Sequence, residues 1–295
     1  MKFIALIPVK NEARFLPTCL SSISNLVDQV ICLDDGSTDN SKEIAKSFGC
    51  DVYDNSLLKE SDWSEHRLRK TLLTLGRESK GTHFLCLDAD EAVTSQFEKI
   101  CKDVVLKALK PGLSVKMQWL ALWKDQNYFR DDSSVWSNNF KDFIFADDNN
   151  ISYDYAFLHI KRTPAVNDQF ILNPKYGAIL HYQFADWNLF NIKQADYRCV
   201  ELIKDPNGAD RINQTYSITF ENTDVRYRPI LDEWTANIIK PDLKTEYVDW
   251  RLPRIFSFFE KYGVEFFEKL NIWHIQILHD EFVKKTGREP RGLIK

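Results

Sequence analysis

The chain has 295 residues, of which 44% are hydrophobic and 28% charged, so it can bury a large core as one big domain or two modest ones. Its net charge of −4, without a basic block, argues against a nonspecific nucleic-acid binder. The six cysteines form no CxxC pair, which predicts reduced, buried thiols and excludes a disulfide framework. No segment approaches the roughly 18 uninterrupted apolar residues of a membrane span.

Strand and helix signals alternate over the first 110 residues. Apolar runs predict strands at 3–9, 29–33, 50–53 and 82–87. Helical spacing follows at 11–25 and 62–75, with a further helix that ends near Gly49. Strands that alternate with helices predict a parallel sheet with right-handed crossovers.

The remainder of the chain changes character. An apolar run at 115–123, an alternating segment at 140–146 and a run at 179–184 predict further strands, and helical spacing returns at 187–203. The last sixty residues carry aromatic side chains at helical spacing. We expect these helices to pack against the catalytic domain, with contact to a membrane surface or a lipid-linked acceptor through 252–282 as the alternative.

Acidic side chains follow three of the predicted strands. Glu12 follows the first strand, and Asp34 and Asp35 follow the second. A cluster of three acids, Asp88, Asp90 and Glu91, follows the fourth. The carboxyl ends of parallel strands meet at one edge of a sheet, where ligands bind. Two carboxylates about 5 Å apart repel by roughly 3 kcal/mol, so we expect a cation there. No Gly-x-Gly is present, which excludes a dinucleotide-binding fingerprint.

His181-Tyr182, followed by Lys193 and Tyr197, resembles a pattern of bacterial surface-polysaccharide and core-glycan transferases. Three motifs together resemble the family 2 glycosyltransferases of the GT-A fold. They are Ile7-Pro8-Val9-Lys10-Asn11-Glu12, Leu33-Asp34-Asp35-Gly36-Ser37-Thr38-Asp39 and Leu87-Asp88-Ala89-Asp90-Glu91. The resemblance is strong over 1–110 and weak over 111–205. It implies an α/β GT-A catalytic domain over 1–205, with a nucleotide-sugar-binding half (1–110), an acceptor half (111–205) and a helical extension over 206–295.

The resemblance also implies roles for individual residues. The implied donor-binding set is Pro8, Asn11, Glu12, Asp34, Asp35, Arg67, Asp88 and Ala89. Within it, Asp35 would read the nucleobase with support from Asp34, and Arg67 would approach the diphosphate. Asp90 and a late histidine, His181, would bind Mn²⁺ or Mg²⁺, with Asp88 as a further candidate ligand. His159 is a weaker candidate for the metal or the acceptor.

The implied reaction is inverting transfer of a sugar from a nucleotide-sugar donor, with UDP favoured, to a hydroxyl of a glycan or lipid-linked acceptor. Relatives carry a His-Glu pair where this chain has Asn167-Asp168. Asp168 is therefore the expected general base, with Asp147 and Asp148 as the next candidates. The expected location is the cytoplasm or the inner membrane face, and the oligomeric state stays open.

Two other functions compete with this one. A sugar nucleotidyltransferase shares the sheet and the acid-bound metal, but residues 9–14 lack the glycine that its nucleotide loop needs. A noncatalytic carbohydrate-binding or scaffold protein would keep the fold without turnover. The retained Asp35, Asp88 and Asp90 argue against the scaffold, and departures from the family pattern at Leu68 and Asn167 argue for it.

Overall fold

The computed structural model describes residues 1–54, 64–134, 136–154, 160–164, 166, 168–217, 225–245 and 247–291. They divide into two compact units. The first comprises Met1–Ala185 and Arg226–Asp242, and the second comprises Asp186–Val225 and Leu243–Lys295. Helix 187–204 thus belongs to the second unit, whereas the sequence-based division at residue 205 grouped it with the sheet.

The strands of the first unit form one large sheet and a small two-stranded one. The strands are β1 (Phe3–Val9), β2 (Gln29–Asp34), β3 (Asp51–Asp54), β4 (His83–Cys86), β5 (Glu91–Val93), β6 (Leu113–Ala121), β7 (Tyr128–Arg130), β8 (Phe140–Ala146), β9 (Asp168–Ile171), β10 (Ala178–His181) and β11 (Tyr227–Pro229). The large sheet has the order β3-β2-β1-β4-β8-β6-β10-β5, with β9 paired to β6, and β7 pairs with β11.

The helices flank the sheet or form the second unit. They are α1 (Leu16–Ile23), α2 (Ser41–Ser47), α3 (Glu65–Glu78), α4 (Glu98–Ile100), which continues into a π-helical segment (Cys101–Leu106), α5 (Trp187–Lys204), α6 (Ala209–Tyr216), α7 (Arg251–Tyr262) and α8 (Gln276–Thr286). The predicted strand at 179–184 ends earlier, at His181, because residues 182–184 turn into a 3-10 helix. Asp62 and Trp63, at the start of the predicted helix 62–75, lie outside the described residues.

Strand direction decides which residues share an edge. Strands β1 to β4 run parallel, so their carboxyl ends lie at one edge. Strand β8 is antiparallel to both β4 and β6, and β10 is parallel to β6. Two antiparallel steps restore the direction, so β6 and β10 also end at the edge where β4 ends. We call this edge the carboxyl edge.

The two faces of the sheet are buried by different helices. Leu16, Leu20 and Ile23 of α1 pack on one face with the π-helical segment. Leu68, Leu72 and other leucines of α3 pack on the other face. Full burial of each such side chain contributes about 1.5–3 kcal/mol. The parallel strands are covered on both sides, which explains their continuous apolar runs.

The aromatic side chains of the second unit form its core. Phe259, Phe267, Trp273 and Phe282 are all buried there, in a core that they share with α5. Packing of these helices against the catalytic domain stays a prediction. In the described part of the chain, no helix has both the length and the apolar content needed to cross a membrane. The cytoplasmic location and the membrane contact through 252–282 stay predictions.

Gly76 of α3 marks a close approach between helix and sheet. A Cβ at this position would lie 2.5 Å from Phe84 Cε1 and 3.2 Å from Leu6 Cδ2. Alanine normally stabilises a helix relative to glycine by about 1 kcal/mol. Here we expect Gly76→Ala to destabilise the protein, because overpacking costs about 1–3 kcal/mol. Thermal unfolding of Gly76→Ala beside Thr74→Ala, an exposed position on the same helix, measures this; a raised melting temperature for Gly76→Ala would contradict it.

Candidate functional site at the carboxyl edge

The turns after β1 and β2 are locked together by side chains. Asn11 adopts a left-handed conformation with φ 52°, and its Oδ1 accepts hydrogen bonds from the Thr38 and Asp39 N–H groups at 2.6 and 3.2 Å. Asp34 Oδ2 accepts from the Gly36 and Ser37 N–H groups, each at 3.0 Å. Asn11 and Asp34 therefore shape the rim of the expected nucleoside pocket.

The other residues expected to bind the nucleoside lie beside this rim. Pro8 pairs in register with Leu33 in the sheet. Asp35 is buried, and its carboxylate lies 3.3 Å from Lys10 Nζ. The Glu12 N–H donates to Ser41 Oγ at 2.9 Å. The structure brings these expected residues together at the carboxyl edge.

Asp88, the first acid after β4, is held by two arginines. Its Oδ1 is ion-paired with Arg69 of α3, and its Oδ2 lies 2.6 Å from Arg162 Nη2. Burial alone would raise the pKa of Asp88, but Arg162 and Arg69 outweigh it and lower the pKa to about 2. Because both oxygens already face guanidinium groups, Asp88 is a weaker metal ligand than the sequence suggests.

This low pKa predicts how acid affects stability. An unfolded aspartate has a pKa of about 3.9. The stability that ionised Asp88 contributes is complete above that value and is lost as the pH falls toward about 2. We expect thermal unfolding of Asp88→Asn to depend less on pH between 5 and 3 than that of the wild type. Equal pH slopes for the two proteins would contradict this assignment.

Glu91 lies at the centre of the same network and is fully buried. Its Oε2 accepts from the Asp88 N–H at 2.8 Å and from Arg162 Nε at 3.1 Å. Its Oε1 accepts from Trp119 Nε1 at 2.7 Å and is also ion-paired with Arg162. Although burial opposes it, the surrounding carboxylates raise the pKa of Arg162, which keeps its charge. Glu91 therefore orients the Asp88 loop, Arg162 and Trp119 together.

Asp90 and His181 face each other across a short gap. Asp90 Oδ2 lies 3.7 Å from His181 Nε2, which is too long for a hydrogen bond. In octahedral coordination, two ligand atoms that each lie about 2.1 Å from one cation are about 3.0 Å apart when adjacent and about 4.2 Å apart when opposite. The distance of 3.7 Å between Asp90 Oδ2 and His181 Nε2 falls between these values. The His181 ring stacks on Trp119 with centroids 4.1 Å apart, and the Asp90 carbonyl accepts from the Tyr182 N–H at 2.9 Å. The pair is held in place and could hold a divalent cation.

Within the part of the chain that the structure describes, no three His, Cys, Asp or Glu side chains cluster as a complete metal site. A cation at Asp90 and His181 would need further oxygen ligands. Mg²⁺ characteristically takes one or two carboxylates from a protein and the rest from substrate phosphates and water. The donor set thus fits a cation that binds together with a phosphorylated ligand.

Comparison with known proteins identifies the family. The protein-family model described as "Glycosyl transferase family 2" matches residues 4–159, which are more than half of the chain. The chain belongs to glycosyl transferase family 2. The GT-A fold expected from the three motifs is confirmed.

Individual relatives cover between 28% and 75% of this family 2 chain. A TPR repeat-containing protein of Synechococcus elongatus is 35% identical over 83 residues, which are 28% of this chain and 19% of the relative. The chain thus spans about a fifth of the curated relative. S. aureus TarS has a TM-score of 0.42 at 16% identity, covering 75% of this chain and 45% of its own. Mycobacterium tuberculosis glucosyl-3-phosphoglycerate synthase, solved with Mn²⁺, UDP and glucosyl-3-phosphoglycerate, has a TM-score of 0.31 at 21% identity, covering 41% of this chain and 44% of its own.

The expected base, Asp168, is not at the carboxyl edge of this family 2 domain. It begins β9 and pairs with Leu113, the first residue of β6, whereas His181 pairs with Ala121, the last. Eight residues of strand separate these positions by about 26 Å. Asp168 therefore cannot reach an acceptor bound near Asp90.

The two alternative bases also lie at the opposite edge. Asp147 and Asp148 follow β8, and Ala146 pairs with His83 at the start of β4. Asp147 makes a bidentate ion pair with Arg77, in which both N–O distances are 2.7 Å. Asp148 Oδ1 accepts from the Asn150 N–H at 2.8 Å. Both acids anchor a loop at the edge opposite Asp90. Neither is therefore placed to act as the base that the sequence analysis expected.

The remaining expected residues have mixed outcomes. Arg67 lies in the first turn of α3, where its N–H donates to the Ser64 Oγ cap at 3.3 Å, but the arginine that reaches Asp88 is Arg69. Ala89 is buried beside Asp88. His159 and Asn167 lie outside the described residues.

Several residues of the site were not expected from the sequence. Arg69 is buried, and no motif in the sequence assigned it a role. The signal was available, since Arg69 shares helical spacing with Leu72, Leu73 and Gly76, which are all buried. Arg162 and Trp119 carried no local signal.

Proposed function

We propose that the chain transfers a sugar from a nucleotide-sugar donor to a hydroxyl acceptor, with inversion at the anomeric carbon. The observation that carries the proposal is the convergence of Asp34, Asp35, Asp88, Asp90 and His181 at the carboxyl edge of a family 2 domain. In such a reaction the acceptor hydroxyl gives up its proton to a base, and its oxygen bonds to the anomeric carbon as the bond to the nucleoside diphosphate breaks. The acceptor is proposed to be a glycan or a lipid-linked glycan.

The rim built by Asn11 and Asp34 would receive the nucleoside. Asp35 presents a carboxylate there, and a carboxylate only accepts hydrogen bonds. Uracil offers an N3–H donor, whereas neutral cytosine has none at that position. This supports UDP as the nucleotide, with dTDP and GDP as the next candidates.

Asp90 and His181 would hold Mn²⁺ or Mg²⁺ next to the diphosphate. A bound divalent cation acts as a Lewis acid that stabilises the charge of a departing phosphate. Arg69 and Arg162 balance Asp88 and Glu91, so an approaching diphosphate does not meet an unneutralised acidic cluster. The network around Glu91 keeps these groups fixed, and such preorganisation lowers the cost of reaching the transition state.

Calorimetric titration of UDP, GDP, dTDP and CDP, each with Mn²⁺ and with EDTA, tests the proposal. We expect UDP to bind at least tenfold more tightly than CDP and more tightly with Mn²⁺ than with EDTA. UDP release from a panel of UDP-sugars then identifies the donor. If no nucleotide binds with or without Mn²⁺, the noncatalytic scaffold is the better description of the protein.

A further inference from the structure

Lys141, the second residue of β8, points into the site from a strand that no motif marked. It pairs in register with Met117, so it shares a face of the sheet with Trp119, two residues further along β6. His181 pairs with Ala121 and lies on that same face. The Lys141 ammonium lies 3.4 Å from the centroid of the Trp119 ring, a cation–π contact.

The charge of Lys141 is not balanced locally. Among the described residues no carboxylate forms a salt bridge with it, while Asp88 and Glu91 are taken by Arg69 and Arg162. Burial and the nearby Arg162 lower the pKa of Lys141 to about 8, although Glu91 and Asp88 oppose the change. A half-buried cation without a carboxylate partner is costly to keep, and a bound anion would lower that cost.

The sheet order places this cation on the path of the expected ligand. Strand β8 lies between β4, which leads to Asp88, and β6 and β10, which carry Trp119 and His181. A diphosphate that runs from Asp88 toward Asp90 and His181 crosses the beginning of β8. Lysine binds phosphate as a point charge.

From this placement we propose that Lys141 binds the terminal phosphate of the donor's nucleoside diphosphate. The inference rests on the proposed function and assigns one more residue to the same site. Lys141 adds positive charge where the diphosphate departs, beside the charge that a cation at Asp90 and His181 supplies. The Trp119 ring contacts the Lys141 ammonium, and Glu91 accepts a hydrogen bond from the Trp119 indole N–H.

Titration of UDP, UMP and uridine into wild type, Lys141→Met, Lys141→Arg and Lys116→Met, all with Mn²⁺, tests the assignment. We expect Lys141→Met to weaken UDP by about tenfold or more, equivalent to about 1.4 kcal/mol, and to leave uridine within twofold. UMP should change by less than threefold, and Lys141→Arg should retain most of the UDP affinity. Lys116, on the neighbouring strand and 3.9 Å from Asp142, is the matched control and should behave as wild type.

A second measurement on the wild type avoids any folding defect in the variants. Acetylation of lysines at pH 8, followed by mass spectrometry, should show Lys141 protected by UDP but not by uridine, with Lys116 unaffected. UDP affinity within twofold of wild type in Lys141→Met, equal losses for UDP and uridine, or no protection by UDP would each overturn the role of Lys141. Absence of UDP binding to the wild type would instead refute the proposed function.

Discussion

Asp90→Asn should reduce sugar transfer by at least a hundredfold and abolish the strengthening of UDP binding by Mn²⁺. Asparagine keeps the size of the side chain but loses the negative charge that faces His181 across 3.7 Å. A hundredfold loss corresponds to about 2.7 kcal/mol of transition-state stabilisation, which is reasonable for one ligand of a Lewis acid. Asp90 is nearly buried, and a neutral isostere also removes a buried charge, so the melting temperature should change little. Calorimetry with and without Mn²⁺, together with UDP release from the donor that the titrations identify, measures both effects.

Asp168→Asn is the matched control, because the same chemical change is made on an exposed strand at the opposite edge. Its turnover and its UDP affinity should equal those of the wild type. Loss of turnover in Asp168→Asn would reinstate this residue as the base, and would contradict its placement at the opposite edge by the pairing of β9 with β6. Full Mn²⁺ dependence in Asp90→Asn would remove Asp90 from the metal site.

The half of the site nearest the N-terminus could be predicted because its signals are local. Strand β1 has the predicted bounds, β2 ends one residue later than predicted, and β4 is one residue shorter at each end. In a parallel sheet with helices on both faces, an acid that follows a strand must lie at the carboxyl edge. Asp34 and Asp88 were therefore assigned to that edge by the end of the strand alone.

The expected bases failed because strand direction is not a local signal. Asp147 does follow a strand, but β8 runs antiparallel to β4, which sends its end to the opposite edge. Asp168 begins β9, which is parallel to β6, and so lies at the amino end. The alternation of residues 140–146 predicts a strand in either direction.

Arg162 and Lys141 were missed for a related reason. Arg162 meets Glu91 and Asp88 across more than 70 residues of sequence. Lys141 meets Trp119 only because β6 and β8 pair in a particular register. Such contacts depend on the sheet as a whole, and a single sequence gives no pattern for them.

Glu91→Gln should destabilise the protein strongly even though it changes only one atom. Both carboxylate oxygens of Glu91 accept hydrogen bonds, Oε1 from Trp119 and Arg162, and Oε2 from the Asp88 N–H and Arg162. A glutamine has only one oxygen, so its NH₂ group must face one of these pairs of N–H donors, which then lack an acceptor. The substitution also removes a negative charge that balances Arg162. Breaking a buried ion pair in this way costs about 3–5 kcal/mol, which should lower the melting temperature by about 10 °C.

Denaturant and thermal unfolding of Glu91→Gln measure this loss, with Glu98→Gln as the control. Glu98 is exposed. Among the described residues, its carboxylate accepts one hydrogen bond, from Asn237 Nδ2 at 3.2 Å. Its substitution should therefore change stability by less than about 0.5 kcal/mol. Since Glu91 also positions the Asp88 loop and Trp119, UDP affinity at a temperature where Glu91→Gln remains folded should fall as well. A melting temperature for Glu91→Gln within 2 °C of the Glu98→Gln control, a difference of under about 1 kcal/mol, would mean that Arg162 is balanced by Asp88 alone.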